Sequence, residues 1–178
     1  MTSPSPVFHN PVYLSLGSNQ GDRAGLMNQA LALLEGLSDT SVVQSSCLYQ
    51  TEPQGPVADQ PWFLNAVVKI ETTLTSEALL ICCREIETAL GRNRATETPQ
   101  GPRTLDIDIL FCGSQVLDTP DLKIPHPRLH QRAFVLVPLL EIAPTFLHPQ
   151  LGRSIEQLHM DLDEPGEVGI YTEAVLSV

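Results

Sequence analysis

The sequence predicts an α+β protein built on a ferredoxin-like antiparallel sheet, with helices packed on one face and the active site on the other. Three observations lead there. The periodicities run strand, helix, strand, strand, helix, strand, which is the split βαβ order of such sheets. The chain has 178 residues, 42% of them hydrophobic, enough for one core of ordinary size. Residues 105–109 alternate apolar and acidic, so one face of that strand is buried while the other presents Asp106 and Asp108.

Taken in order, residues 1–11 are rich in Pro and Ser and read as a flexible N-terminal arm, leaving 12–178 as a single domain. Val12, Leu14 and Leu16 alternate with Tyr13 and Ser15 as a strand does. Gly17-Ser18-Asn19-Gln20-Gly21-Asp22 turns the chain but lacks the Lys-Ser/Thr ending of a P-loop. Asp22 suits an N-cap, and Leu26, Ala30, Leu33, Leu34 and Leu37 follow at helical spacing. Residues 42–49 read as a second strand. Residues 51–61 contain Pro53, Pro56, Pro61 and Gly55, a loop longer than most connections, and such length often serves function. Residues 63–70 resume a strand with Asn65 polar within it. Ser76 is expected to cap the second helix, with Glu77 in its first turn, a stripe of Leu79, Cys83, Ile86 and Leu90, and Gly91 at C′. A polar loop then leads to the acidic strand, where Leu105, Ile107, Ile109 and Phe111 are expected to share one face. Gly113-Ser114 is expected to turn a hairpin into residues 115–117. Pro125-His126-Pro127 marks a rigid turn, residues 134–142 a buried helix, and Ile155 and Leu158 one short helix before an acidic stretch at 161–167.

Charge narrows the function. A net charge of −11 argues against a general nucleic-acid surface, since duplex binding rests on cations neutralising phosphates. Eight of the ten cations are Arg, and six of those lie within residues 84–132, which points to a confined anion site. Cys47, Cys82, Cys83 and Cys112 form no Cys-x-x-Cys pair and read as reduced, mostly buried thiols. No signal segment or membrane-length apolar run is present in the sequence, so a cytoplasmic location without a membrane partner is expected.

The acidic pair carries the chemistry. Two carboxylates about 4 Å apart repel by roughly 1 kcal/mol in water and about 4 kcal/mol at an effective dielectric near 20. Solvation, protonation of one member or a cation between them removes that cost. Mg²⁺ suits the third route, because it takes few protein carboxylates and fills its shell with water and phosphate oxygens. Arg103, just upstream, offers a fork of donors to a phosphate. The same Asp-x-Asp pattern also describes the wet face of an amphipathic edge strand.

The assembled motifs resemble one family. Gly17-Ser18-Asn19, Thr51-Glu52-Pro53, Phe63-Leu64-Asn65-Ala66, Gly91-Arg92-Asn93-Arg94, Gly101-Pro102-Arg103-Thr104-Leu105-Asp106-Ile107-Asp108 and Pro125-His126-Pro127-Arg128 stand in the order found in 6-hydroxymethyl-7,8-dihydropterin pyrophosphokinases. The resemblance spans residues 12–148. It implies a single catalytic domain that transfers pyrophosphate from ATP to a hydroxymethyl-dihydropterin, releasing AMP, in folate biosynthesis. It implies Asp106 and Asp108 as ligands of two Mg²⁺ ions, with Arg92 and Arg103 completing the catalytic set. It implies Glu87, Arg94, Ile109, His126 and Arg132 on the ATP side, with Ile109 lining the adenine pocket. Phe63 and Phe134 would stack on the pterin, Asn65 would read its edge, and Thr51, Pro53 and Gln54 would add loop contacts. ATP and the pterin are the only partners implied, and the protein is expected to be a monomer.

The chain departs from the family where Pro99 and Gln100 replace a basic residue and a tryptophan before Gly101, and where Pro127 stands in place of a tyrosine found in some members. Loss of the indole bears on how the 94–103 loop seals the site. Tyr13, Tyr49 and Trp62 read as packing residues. Two other readings accompany the enzyme: a ferredoxin-like module that binds a small ligand without chemistry, and a family member that binds without turnover.

Overall fold

The computed structural model describes residues 10–54, 57, 59–163 and 166–172. Its elements are β1 (Asn10–Ser18), α1 (Arg23–Glu35), β2 (Thr40–Ser45), β3 (Leu48–Thr51), β4 (Phe63–Thr72), α2 (Ser76–Ala89), β5 (Asp106–Cys112), β6 (Leu117–Asp118), β7 (Lys123–Ile124), a 3₁₀ turn (Leu129–Gln131), α3 (Ala133–Ile142), α4 (Ile155–Met160) and β8 (Val168–Thr172). Of the expected arm, residues 1–9 lie outside the described residues, and Asn10 and Pro11 already belong to β1.

The main sheet runs β5-β1-β4-β3-β8, with β2 also beside β4, and all its pairs are antiparallel. The second predicted strand is thus two pieces on one edge of β4, broken at Ser46 and Cys47. Glu141 of α3 satisfies the break: its carboxylate accepts the Cys47 N–H at 2.9 Å and the Tyr49 hydroxyl at 3.0 Å.

Alternation on three strands builds two layers. Val12, Leu14 and Leu16 of β1, Leu64, Ala66, Val68 and Ile70 of β4, and Ile107 and Ile109 of β5 pack in one cluster with Met27, Leu31 and Leu34 of α1 and Leu79, Cys83 and Ile86 of α2. The opposite face is divided. At one end Tyr13, Val67, Leu110 and Phe111 pack against α3 and α4. At the other end it stays polar and holds the candidate site. The antiparallel sheet with α1 and α2 on one face and the site on the other is as the sequence predicts, and the site face gains two further helices.

Local details differ from expectation in four places. Phe111 does not share a face with Ile107 and Ile109. The β1–β5 register shifts between Tyr13 and Leu14, leaving Leu110 as an extra residue, and a bulge of this kind moves every following side chain across the sheet. The cap of α2 is Thr75, whose hydroxyl accepts the Ala78 N–H at 3.2 Å, while Ser76 is the first helical residue. Gly113 turns the chain with φ 53°, but residues 115–117 do not return along β5; β6 pairs with β7 instead. Trp62 is 37% exposed and so is not a packed core residue. Asp22 caps α1 by accepting the Gly25 N–H at 3.1 Å, and Gly91 follows α2 with φ 91°, both as the sequence indicates.

Phe111 is fully buried and meets Tyr13, Phe146 and His148 edge-on or tilted, at centroid distances of 6.3, 4.8 and 5.5 Å. Phe111→Ala should therefore lower the unfolding free energy by about 3–5 kcal/mol in a denaturant titration. Ile81→Ala, at an exposed position, should change it by no more than about 0.5 kcal/mol. Equal effects would contradict the bulged register.

Candidate active site

The polar end of the sheet is laid out in rows across the strands. Asn65 of β4 stands opposite Gly17 of β1, which stands opposite Asp106 of β5. One row deeper, Val67, Ser15 and Asp108 align in the same way. The central strand supplies only a hydroxymethyl group and a hydrogen, so the floor dips between larger neighbours. Gly17 is fixed by this packing: a Cβ there would lie 2.8 Å from the Asn65 Oδ1. The resulting cleft has a volume of about 400 Å³.

Most residues expected at the site line it. Thr51, Gln54, Phe63, Asn65 and Phe134 line it together with Arg92, Arg94, Arg103, Asp106, Asp108, His126 and Arg132. Three expected residues do not line the cleft. Ile109 is 4% exposed and packs between the sheet and its helices, because odd positions of β5 before the bulge face that core. Glu87 is buried at the end of α2, one layer behind the arginines. Pro53 also does not line it. Five lining residues carry no sequence assignment: Ser15, Gly17, Glu52, Gln100 and Arg128. Ser15 and Gly17 were discoverable, since alternation in β1 puts them opposite Leu14 and Leu16.

Glu87 organises the arginines. One carboxylate oxygen accepts Arg92 Nη1 at 2.6 Å and the Ile107 N–H at 2.8 Å; the other accepts Arg94 Nη2 at 2.6 Å. Arg92 also reaches Glu97 at 3.3 Å and hydrogen-bonds Asp106. Arg103 Nε lies 2.9 Å from the other Asp106 oxygen, and its guanidinium sits 4.8 Å above the Phe63 ring. The Arg132 guanidinium lies 5.4 Å from the Phe134 ring centroid.

Loop contacts aim these groups. Asn19 is buried and bonds the Arg103 loop twice, its N–H to the Arg103 carbonyl at 3.1 Å and its Oδ1 to the Arg103 N–H at 2.8 Å. Its amide donates to Gln60 Oε1 at 3.1 Å, and Gln60 in turn donates to the Gln100 carbonyl at 3.2 Å. The departure at Gln100 is accommodated by a left-handed backbone, φ 61°. His126 is held by its N–H bond to the Leu110 carbonyl at 3.0 Å, after the cis Ile124–Pro125 peptide.

The two aspartates have opposite charge environments. Burial pushes the Asp106 carboxyl up, but Arg103 and Arg92 outweigh it and hold the group below the usual carboxylate range. Burial and the neighbouring Asp106 charge push Asp108 up to about 6, against the pull of Arg132. Burial, then Arg132 and Arg128, lower His126 to about 4, so near pH 7 its imidazole is neutral and its 3.9 Å approach to Asp108 is not an ion pair. Among the described residues no group of three or more His, Cys, Asp or Glu side chains could hold a metal ion unaided. Two same-face carboxylates in a cleft lined by Arg92, Arg94, Arg103 and Arg132 still fit Mg²⁺, which takes its remaining ligands from water and phosphates.

Two measurements test this electrostatic layout. Glu87→Ala leaves two guanidinium groups without their buried partner and should cost about 3–5 kcal/mol of stability in urea unfolding; a loss below about 1 kcal/mol would show the arginines to be held by other groups. Asp108 has a folded pKa above its ordinary 3.8, so the folded protein binds more protons between about pH 4 and 6, and stability falls as pH rises through that window. The side chain is 41% exposed, which reduces the penalty above pH 6 to on the order of 1 kcal/mol. Asp108→Asn should therefore raise the thermal midpoint by about 2–4 °C at pH 8 in metal-free buffer and change it little at pH 4. A lower midpoint at pH 8 contradicts the assignment.

A family model described as 7,8-dihydro-6-hydroxymethylpterin-pyrophosphokinase (HPPK) matches residues 13–144. The chain is 46% identical over 155 residues to the 2-amino-4-hydroxy-6-hydroxymethyldihydropteridine pyrophosphokinase of Methylorubrum extorquens, covering 86% of this chain and 94% of that protein. It is 40% identical over 153 residues to the folic acid synthesis protein fol1 of Pneumocystis carinii, covering 86% of this chain but spanning only 20% of that protein's length. Its fold is similar to a crystal structure of wild-type Plasmodium falciparum HPPK-DHPS with pterin and p-hydroxybenzoate, at 18% identity and a TM-score of 0.67, covering 86% of this chain and 43% of that one. With the acidic pair, the arginine cluster, Phe63 and Phe134 all lining one cleft, the chain belongs to the 7,8-dihydro-6-hydroxymethylpterin-pyrophosphokinase family.

Proposed function

We propose that the chain transfers the pyrophosphoryl group of ATP to the hydroxymethyl oxygen of 6-hydroxymethyl-7,8-dihydropterin, releasing AMP, as a step of folate synthesis. One observation carries the reading: five arginines, two same-face carboxylates, two aromatic rings and the Asn65 amide line the same cleft. Neither the charged groups nor the rings alone would suit a two-substrate transfer.

The pterin side is built for a flat polar ring. Phe63 and Phe134 supply faces for stacking. Asn65 donates one amide hydrogen to Thr51 Oγ1 at 2.6 Å, which fixes its rotamer and leaves a second hydrogen for the ring edge. Thr51 ends β3, and Pro53 and Gln54 follow it in the adjoining loop.

The nucleotide side neutralises charge. Phosphoryl-type transfer is mainly positioning and electrostatic stabilisation. Two Mg²⁺ ions, when bound at Asp106 and Asp108, would supply charge neutralisation on the phosphate oxygens. Arg92 and Arg103 satisfy Asp106 in the structure, so they are charged, oriented and within reach of phosphates brought to that carboxylate. Arg94, His126 and Arg132 extend the phosphate wall, and neutral His126 acts as a hydrogen-bond donor or acceptor rather than a cation. Glu87 serves the nucleotide side indirectly, by orienting Arg92 and Arg94. During transfer the hydroxymethyl oxygen bonds to the β-phosphorus, the bond from that phosphorus to the AMP oxygen breaks, and the hydroxyl proton is released. We further infer a single catalytic domain over residues 12–178, acting as a monomer in the cytoplasm. Among the described residues no helix is long and apolar enough to cross a membrane.

An assay of AMP release from ATP with 6-hydroxymethyl-7,8-dihydropterin and Mg²⁺ tests the reading. Activity should require the pterin and vanish in excess EDTA. Asp106→Asn, Asp108→Asn and Arg103→Ala should each slow turnover by about 10²–10³-fold, the scale of removing one preorganised electrostatic group. Binding of an ATP analogue without any AMP release would favour a binding module, and wild-type rates in the two Asn variants would sink the metal assignment.

A further inference from the structure

The family match ends at residue 144, yet the chain returns to the site beyond it. After α4 it forms β8, which adds to the free side of β3. Thr51 stands opposite Val168, Gln50 opposite Gly169 and Tyr49 opposite Ile170. The pairing continues past the strand into the substrate loop: the Glu52 N–H donates to the Glu167 carbonyl at 3.1 Å. Gly166, with φ 68°, brings the backbone so close to Gln54 that a Cβ there would lie 3.4 Å from its Nε2. Thr51, Glu52 and Gln54 all line the cleft.

A cation from the first helix spans the two segments. Arg23 Nη1 donates to the Trp62 carbonyl at 2.7 Å, at the other end of the same loop, and its guanidinium lies 5.7 Å from the ring centroid of Tyr171 in β8. Arg23 thus ties the loop and the strand to the helix from outside the cleft.

The side chains of β8 give the pairing its meaning. Ile170 is 62% exposed and Tyr171 48% exposed, so the strand buries little apolar surface and is not there to fill a core. What it contributes is backbone hydrogen bonding to the one strand that enters the substrate loop. We propose that β8, held by Arg23, is a positioning element for the pterin side of the site: it fixes the backbone of residues 51–54 so that Thr51 and Gln54 meet the pterin already ordered. An edge strand without a neighbour leaves every second N–H and carbonyl to water and frays more easily. Among the described residues no hydrogen bond or ion pair links Glu87, Arg92 or Arg103 to β8, so the nucleotide side should not depend on it. The inference rests on the proposed pterin transfer.

Gly169→Pro in the full chain is the test. By antiparallel alternation from the Glu52–Glu167 bond, Gly169 falls in a hydrogen-bonded position opposite Gln50, and proline removes its N–H. Arg23→Met is the companion, since it deletes the Arg23 contacts without touching the ladder. Both should raise the KM for 6-hydroxymethyl-7,8-dihydropterin by about 5–10-fold. Both should leave ATP-analogue affinity within about twofold and speed amide exchange at residues 50–54. An unchanged pterin KM, unchanged exchange at 50–54, or an equal loss of ATP-analogue affinity overturns the proposal. Wild-type protein that releases no AMP overturns the functional reading instead, and the exchange measurement then still decides whether β8 orders the loop.

Discussion

Asp106 is a carboxylate at the bottom of a cleft, where loss of water opposes its charge. Arg92 on one oxygen and Arg103 beside the other reverse that opposition. Most of the site geometry follows from keeping those three charges together. Arg92 needs a second anion to hold it, and Glu87 supplies one from the buried end of α2 while also accepting the Ile107 N–H. That single carboxylate therefore ties the helix, the acidic strand and two arginines into one unit. Arg103 needs its loop held, and Asn19 does so by donating its backbone N–H to the Arg103 carbonyl and accepting the Arg103 N–H on its side-chain Oδ1.

The same arrangement explains why the neighbouring aspartate is different. Asp108 is pushed up by burial and by the Asp106 charge beside it, and the pull of Arg132, then Arg103, does not offset them. It is the half of the pair with unmet electrostatic demand, which is what a divalent cation with a phosphate chain would satisfy. Inside a low-dielectric cleft such an exchange of partners is worth far more than on the surface. An acidic protein with net charge −11 can hold polyphosphate only by concentrating its few cations in this way.

Legibility from sequence followed the range of the interactions. Strict alternation in residues 105–109 revealed the same-face aspartates, because strand geometry is local. The same rule failed at Phe111, where a bulge set by pairing with β1 changed the parity. Ile109 was carried to the nucleotide side by resemblance, although alternation alone puts its side chain in the helix-facing core. Glu87 was likewise carried to the nucleotide side by resemblance, and nothing local gives its depth; only packing of α2 against β5 turns it inward. β8 had no sequence signal beyond a short β-branched and aromatic run after an acidic stretch, and its role exists only beside β3.

By itself the sequence determined the split βαβ order of the main strands and helices, the caps at Asp22 and Gly91, the concentration of six of the eight arginines within residues 84–132 and the side of the sheet on which Asp106 and Asp108 stand. These depend on backbone geometry and on charge count, which are properties of short stretches. Tertiary structure alone decided which strand lies between Asn65 and Asp106, that Gly17 and Ser15 leave room there, which carboxylate is the hub of the arginines, and what covers the edge of β3. Those outcomes arise from register and packing between residues tens of positions apart, where no local preference of the chain distinguishes one partner from another.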